Sequence, residues 1–349
     1  MRARVFVTDF IAAPDVEQQV LADLADVVVV GEEDDRRFPE ELFDADALLV
    51  WHARVTTRTV ERLSRCRAIV RYGVGYDNLD VEAAAARGIA VCNNPDYGTE
   101  EVADSVWALL LSLARGVLVF NGEVRDGPRG WDWSAARPLR RLRGRTLGII
   151  GLGRIGTAVA LRARPFGLAV LFYDPYKPDG YDKALGVMRA ETLGELLAMS
   201  DIVSVHTPLT RETQGMINAS FLERMRPGAC LVNTARGAIL ESTACLEPFL
   251  RSGHLQGVAL DVLPTEPLPP DDPLISAWRR QETWIRHRLL ITPHAAFYSE
   301  EAFVEMRRKA SAMVRAALEG HPLRNIVNGV TVYRGSAAGG QSSPPAFSF

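Results

Sequence analysis

The sequence predicts an α/β protein built from two doubly wound domains, and three observations carry that prediction. Short apolar, β-branched runs alternate with stretches of helical periodicity along most of the chain. The alternation occurs twice, once before residue 93 and again from residue 145. The 349 residues, at ~150 per domain, amount to about two domains. Parallel strands joined by right-handed helical crossovers wind into an open sheet covered on both faces.

In the first unit, strands are expected at 4–10, 27–30, 47–51, 68–72 and 89–92. A helix is expected over 14–26, with Val16, Val20, Leu21 and Leu24 on one face, and shorter ones over 57–64 and 80–87. Gly88 is placed to cap the last of these. A long helix is expected over 99–119, with Thr99 as N-cap and Glu100 and Glu101 in its first turn. Val102, Val106, Leu109, Leu110 and Leu113 recur on one face, as in a core helix or one that crosses between domains. Residues 121–143 are rich in glycine and arginine and carry Trp131 and Trp133. They read equally as an arm that packs on a second subunit and as a loop anchored by its own tryptophans.

In the second unit, strands are expected at 147–150, 169–173, 202–205, 229–233, 257–261 and 289–291. The last helix, 300–318, aligns Phe303, Met306, Ala310, Met313, Val314 and Ala317. The small and polar residues 333–349 cannot build a core and are expected to form a disordered tail.

Composition narrows the function. The chain is 47% hydrophobic and 24% charged, as a soluble globular protein with ample core requires. Lysine and arginine number 40 against 43 acids, for a net charge of −3, which argues against a general nucleic-acid binder. Cys66, Cys92, Cys230 and Cys245 form no C-x-x-C and read as buried apolar residues in a reducing compartment, with no metal site. The longest apolar run, 107–114, is too short to span a bilayer. No secretory pattern opens the chain, so a cytoplasmic location is expected.

One stretch has a specific chemical reading. The run Leu147–Ile150 is followed at once by Gly151, Leu152, Gly153, Arg154, Ile155 and Gly156, a G-x-G-x-x-G that leads into a helical pattern. The first glycine permits the tight turn, the second lets backbone approach a pyrophosphate, and the third lets helix and strand pack closely. Phosphates then meet the unpaired N–H groups at the positive end of the helix dipole. Asp174, eighteen residues beyond Gly156 and after a second apolar run, stands where an acid accepts hydrogen bonds from the adenosine ribose. Motif and context together predict a dinucleotide site.

Three further clusters end strands of this unit: Asn233-Thr234-Ala235-Arg236-Gly237, Asp261 to Pro267, and Thr292 to Tyr298. Ligands of open α/β sheets bind outside the carboxyl ends of the strands. The clusters supply Arg236, Glu266 and His294. An arginine pairs with a carboxylate and polarises the adjacent carbonyl. A histidine moves the hydroxyl proton near neutral pH, and a glutamate holds the imidazole. That set suits reduction of a carbonyl flanked by a carboxylate, with hydride from a nicotinamide.

With these motifs the chain resembles the D-isomer-specific 2-hydroxyacid dehydrogenase family over residues 45 to 330. The segment Arg71-Tyr72-Gly73-Val74-Gly75-Tyr76-Asp77-Asn78 is similar to the family's substrate-side loop. Leu171 to Tyr176 and Pro293 to Glu300 resemble its C-terminal-binding-protein branch. The resemblance implies a Rossmann NAD-binding domain, 101–296, inserted into a flavodoxin-like substrate domain made of 1–100 and 297–332. It implies Arg236, Glu266 and His294 as the catalytic set. It implies NAD bound by the glycine turn, Asp174, Thr207, Thr234, Ala235 and Asp261. It also implies a homodimer formed through the nucleotide domain. From charge and hydropathy, no membrane or direct nucleic-acid partner is expected. Arg71, Val74, Gly75, Trp51, His52 and Phe297 are the expected substrate side. The branch carries tryptophan where this chain has Phe297, and the segment between Glu266 and His294 is longer than in its animal members.

The function expected is hydride transfer between NAD(H) and a D-2-hydroxy acid or its 2-keto form. Two alternatives accompany it. The branch includes transcriptional corepressors that keep the catalytic residues, so an NAD(H)-sensing binding protein is one. The arginines Arg54, Arg71 and Arg236 allow a phosphonate or phosphite substrate, which is the other.

Overall fold

The structure is a computed structural model that describes residues 2–267 and 269–336. Two compact units divide the chain, one of Met1–Tyr97 and Ser299–Phe349, the other of Gly98–Tyr298. Their borders lie two or three residues from the expected 100/101 and 296/297. Gly98 packs on Phe297, where an added Cβ would lie 3.3 Å from the Phe297 Cβ, and both lie in the second unit.

In the first unit, β1 (Ala3–Val7), β2 (Ala25–Val29), β3 (Ala47–Val50), β4 (Ala68–Arg71) and β5 (Ala90–Cys92) form a parallel sheet. Among the described residues its order is β2-β1-β3-β4-β5. The order reverses between β1 and β3, as in flavodoxin-like sheets. The run Ala47-Leu48-Leu49-Val50 is wholly buried because parallel sheets are covered on both faces. Phe6, Leu48, Val50, Ile69 and Val91 pack there with Phe38, Leu42 and Phe43. β1 stops at Val7, short of the expected Phe10. Thr8 still donates its N–H to the Leu49 carbonyl at 3.0 Å, the buried Asp9 turns away, and Phe10 adopts φ 74°.

The final helix, Glu300–Glu319, starts where the Ser299 hydroxyl accepts from the Ala302 N–H at 2.9 Å. A buried charge cluster ties it to this unit. Arg307 donates through Nε to Glu17 Oε1 at 2.9 Å and through Nη2 to Glu17 Oε2 at 2.6 Å. Nη2 also reaches Asp15 Oδ1 at 2.7 Å and the Ala13 carbonyl at 2.9 Å. The buried Tyr72 hydroxyl donates to Glu17 Oε1 at 2.9 Å. Burial alone would lower the Arg307 pKa, but the bonds to Glu17 and Asp15 outweigh it and hold the guanidinium above its ordinary value. Burial and the Glu17 carboxylate push the Tyr72 phenol well up.

Residue 333 departs from the expected disordered tail. Tyr333 is buried and its hydroxyl donates to the His321 carbonyl. Residues 337–349 of the expected tail lie outside the described residues.

In the second unit, β6 (Thr146–Ile150), β7 (Ala169–Tyr173), β8 (Met188–Arg189), β9 (Ile202–Val205), β10 (Ala229–Asn233), β11 (Leu255–Leu260) and β12 (Leu289–Ile291) are parallel. Their order among the described residues is β12-β11-β10-β9-β6-β7-β8, which reverses between β6 and β9. This is the dinucleotide-binding order with one further strand. β8 was not expected, since two half-exposed residues leave no apolar run to read.

The helix expected over 99–119 is two helices, Thr99–Arg115 and Val117–Arg125. Gly116, at φ 61°, breaks it, and Gly98 rather than Thr99 occupies the N-cap. No single helix among the described residues is long and apolar enough to cross a bilayer. Trp131 and Trp133 are 84% and 72% exposed, so the loop is not anchored by burying its own tryptophans.

The Arg307 cluster generates a stability prediction. Arg307→Met leaves Glu17 buried without its counter-charge and is expected to cost about 3–5 kcal/mol in urea unfolding of the first unit. Adding Glu17→Leu should recover most of that loss. A single-mutant loss under about 1 kcal/mol contradicts the account.

Candidate active site

The second unit by itself contains every residue expected to be catalytic or to hold the cofactor. The turn after β6 sits at the reversal of strand order. Gly151 takes φ 88°, and a Cβ there would meet the His206 carbonyl carbon and oxygen at 2.9 Å. A Cβ on Gly156 would lie 2.1 Å from the Gly151 oxygen, so helix and turn touch only because that position is glycine. A Cβ on Gly153 would meet nothing within 4 Å, which leaves open space over the start of the helix Arg154–Ala163. Gly153 is that helix's N-cap and no side chain caps it.

Asp174 follows β7 and faces this turn. Its Oδ2 accepts from the Leu152 N–H at 2.9 Å, and its Oδ1 from the Tyr176 N–H at 3.1 Å. The Leu152 N–H is therefore engaged within the protein. Among the turn residues expected at the cofactor, the N–H groups of Arg154 and Ile155 lie in the helix's first turn.

Arg236 leaves β10 through a turn shaped by buried Asn233. The Asn233 side chain accepts from the Ala235 N–H at 3.0 Å and donates to the Arg236 carbonyl at 3.1 Å. Arg236 Nη1 donates to the Ala235 carbonyl at 2.8 Å. A Cβ on Gly237 would lie 1.8 Å from the Leu263 oxygen, so the arginine turn lies directly against the segment that carries Glu266. Glu266 Oε1 accepts from the Leu263 N–H at 2.8 Å, which aims the other oxygen, Oε2, at His294 Nδ1, also 2.8 Å away. A carboxylate only accepts, so Nδ1 carries the proton and Nε2 is the nitrogen presented elsewhere.

His294 adopts φ 52°, a conformation in which histidine is several-fold enriched among the non-glycine residues that take it. Asp261, 2% exposed beyond β11, holds it there. Asp261 Oδ1 accepts from the Thr292 hydroxyl at 2.5 Å and the Ala295 N–H at 3.0 Å; Oδ2 accepts from the Ala296 N–H at 3.0 Å. The Asp261 carbonyl accepts from the His294 N–H at 2.8 Å. Asp261 was expected along the cofactor, and the structure gives its carboxylate to the His294 loop.

Two buried hydroxyl oxygens, Thr207 Oγ1 and Thr234 Oγ1, have no hydrogen-bond partner. Buried polar atoms are nearly always satisfied, so such orphans mark a missing ligand group. With the open space at Gly153 and the uncapped helix, they fit a dinucleotide laid along the carboxyl ends of β6, β9 and β10. No group of three or more His, Cys, Asp and Glu side chains among the described residues is placed to hold a metal ion.

Of the expected substrate side, Phe297 lies in the second unit and the rest in the first. Arg71 ends β4, donates through Nε to Asn78 Oδ1 at 3.3 Å, and lays its guanidinium 4.7 Å over the Trp51 ring. Asn78 Nδ2 in turn donates to the Trp51 and Ala53 carbonyls at 3.1 and 2.7 Å. Val74 is exposed and Gly75 half-buried in the loop between them. Asp9 was given no role in the sequence reading, and Asn78 and Asn233 were named only as members of their motifs. Each is a polar residue at or near the end of an apolar strand or within a glycine loop, and that is the only signal they leave.

Comparison with known proteins decides the family. The family model described as D-isomer specific 2-hydroxyacid dehydrogenase, NAD binding domain, matches residues 107–296. The chain belongs to that family. A glyoxylate reductase of Korarchaeum cryptofilum is 40% identical over 295 residues, 83% of this chain and 84% of that protein. C-terminal-binding protein 1 of Caenorhabditis elegans is 34% identical over 92% of this chain, which spans 44% of that longer protein. The D-lactate dehydrogenase of Aquifex aeolicus, solved with NAD and lactic acid, superposes with a TM-score of 0.79 at 30% identity, covering 90% and 96% of the two chains. The chain is thus an oxidoreductase of the D-2-hydroxyacid dehydrogenase family with NAD as its cofactor.

His206 gives the site a pH signature. Burial pushes its pKa down to about 3, and its Nε2 shares a 2.8 Å hydrogen bond with Ser204 Oγ. The unfolded imidazole titrates near ~6.5, so protons favour the unfolded chain between those values. The contribution is full above ~6.5 and is lost as pH falls toward 3. Burial also lowers the His287 pKa, with the same sign. Tm is expected to fall between about pH 7 and pH 5, and His206→Asn should flatten that fall. An unchanged slope contradicts the assignment.

Proposed function

We propose that this chain interconverts a D-2-hydroxy acid and its 2-keto acid, with His294 as acid/base, Glu266 orienting it and Arg236 binding and polarising the substrate. The observation that carries the reading is the 2.8 Å bond from Glu266 to His294 Nδ1. It fixes the tautomer and leaves Nε2 to give a proton to the substrate oxygen in reduction and to take it back in oxidation. Arg236 pairs with the substrate carboxylate and draws electron density from the carbonyl beside it. NAD(H), when bound, supplies or receives the hydride. Asp174 would accept from the adenosine ribose, and the N–H groups of Arg154 and Ile155 would hold phosphate. The Thr207 and Thr234 hydroxyls would gain the partners they lack. Arg71, Val74, Gly75, Trp51, His52 and Phe297 would meet the substrate.

A second reading, an NAD(H)-sensing binding protein, takes its support from the likeness to C-terminal-binding protein 1. Turnover of 2-keto acids separates the two: a sensor binds NADH tightly and leaves it unoxidised across the panel. A homodimer is also proposed, because Val117, Leu118, Val124, Trp131 and Trp133 are exposed apolar side chains within one short stretch of the second unit. Sedimentation equilibrium should show a dimer at micromolar concentration, and a monomer there rejects it.

Loss of a transition-state contact worth ~3 kcal/mol slows a reaction more than a hundredfold. Arg236→Ala is therefore expected to lower kcat/KM at least ~100-fold, and a loss within about tenfold removes the arginine from this role. His294→Ala should cost roughly 10²–10⁴ in rate, and a loss within about tenfold removes it from the acid/base role. Asp174→Ala should weaken NADH far more than NADPH in direct titration, and equal weakening rejects the ribose contact.

A further inference from the structure

The side chains of Tyr176 and Glu212 have no part in the proposed chemistry, yet they join two loops of the second unit. Tyr176 lies in the loop after β7 and Glu212 in the loop after β9. The Tyr176 hydroxyl donates to Glu212 Oε2 at 2.5 Å, across 36 positions of sequence. The bond to the carboxylate raises the phenol pKa, so the hydroxyl keeps its proton and stays the donor. Tyr176 is 76% exposed, and Glu212 is exposed as well. Exposed polar pairs add little to stability, so the fold itself has little need of this one.

The pair stands at the crevice where the order of this sheet reverses. Strands run β9-β6-β7 there, so a bond between the β7 loop and the β9 loop spans the end of β6. The glycine turn follows β6 and is flanked by both loops. The Leu152 N–H donates to Asp174 on the β7 side. On the β9 side, a Cβ on Gly151 would meet the His206 backbone at 2.9 Å and Thr207 Cγ2 at 3.0 Å. Both anchors of the bond are fixed locally. The Tyr176 N–H donates to Asp174 Oδ1 at 3.1 Å. Beside Glu212, the Thr213 hydroxyl accepts from the Thr210 N–H at 2.8 Å and donates to the Pro208 carbonyl at 2.7 Å. A dinucleotide with phosphates at the Arg154 and Ile155 N–H groups and a ribose at Asp174 brings its adenosine to the border of these loops.

We propose that Tyr176 and Glu212 form a strap across the adenosine end of the dinucleotide site and act as positioning residues that slow the release of NADH. The inference rests on the reading of Asp174 as the ribose ligand. The strap must part before NADH leaves, and most affinity differences among variants of one site lie in the dissociation rate. Loss of an exposed charged pair of this kind shifts an equilibrium by up to about fivefold.

The test is stopped-flow displacement of NADH by excess ADP-ribose, followed by NADH fluorescence, for wild type, Tyr176→Phe, Glu212→Ala and the double variant. Each single variant should release NADH at least about threefold faster, and a smaller change overturns the proposal. The double variant should release it no faster than the singles, because one bond is lost in all three. Additive effects mean that the two side chains act separately, and they overturn the strap. So does faster association with unchanged release, which would make the bond an obstacle to entry. ADP-ribose keeps the adenosine and lacks the nicotinamide, so its affinity in calorimetry should weaken by the same factor. A loss confined to NADH overturns the placement at the adenosine end. Asp174→Ala separates the two readings. If it weakens NADH binding while Tyr176→Phe leaves release unchanged, only the strap fails. If neither variant changes NADH binding, the ribose reading fails with it.

Discussion

A carboxylate at the end of a buried parallel strand must find hydrogen-bond donors, and in this protein it finds them in the loop that follows the neighbouring strand. Asp9, after β1, takes the Trp51 and His52 N–H groups beyond β3. Asp174, after β7, takes the Leu152 N–H beyond β6. Asp261, after β11, takes the Thr292 hydroxyl and the Ala295 and Ala296 N–H groups beyond β12. Hydrogen bonds to a charged group are worth about 1.5–3 kcal/mol each, and a buried carboxylate without them costs more than that. The loops at the carboxyl edges of both sheets are therefore fixed in place by the sheets' own strands. A site that needs rigid loops acquires them from the same bonds that satisfy the strand ends.

The consequences differ from one carboxylate to the next. At Asp261 the fixed loop is the one that turns His294 to φ 52° and brings Nδ1 to Glu266. At Asp174 it is the glycine turn, whose remaining N–H groups open the helix Arg154–Ala163 to an anion. At Asp9 it is the aromatic pair Phe10 and Trp51. The orphaned Thr207 and Thr234 hydroxyls are the complement of this scheme. Neither has a hydrogen-bond partner within the protein, and a bound cofactor would supply one.

Much of this was legible in the sequence because it is periodic or chemically singular. The apolar runs of β6 and β7, the three glycines and Asp174 follow one after another at fixed spacing, so a local reading suffices. Arg236, Glu266 and His294 each follow an apolar strand, and strand ends are where such sheets bind ligands. The break at Gly116 was missed because the apolar stripe continues across it, and only the positive φ shows that the helix stops. Asp9 and Phe10 were read as the last residues of a strand, since nothing local says that the chain leaves the ladder to bond with residues more than forty positions away. Nothing in the local sequence singles out Arg307, on an amphipathic helix, or its partner Glu17. Their pairing needs the fold that joins the two ends of the chain.

The central claim is that the residues around the glycine turn move a hydride rather than merely sense a nucleotide. The most direct measurement is a single turnover with NADH deuterated at the transferred position and an unlabelled 2-keto acid. Mass and stereochemical analysis of the product then follow. The account predicts one deuterium at C2 of a hydroxy acid of D configuration. Tight NADH binding with no deuterium in the product, or a product of L configuration, contradicts it.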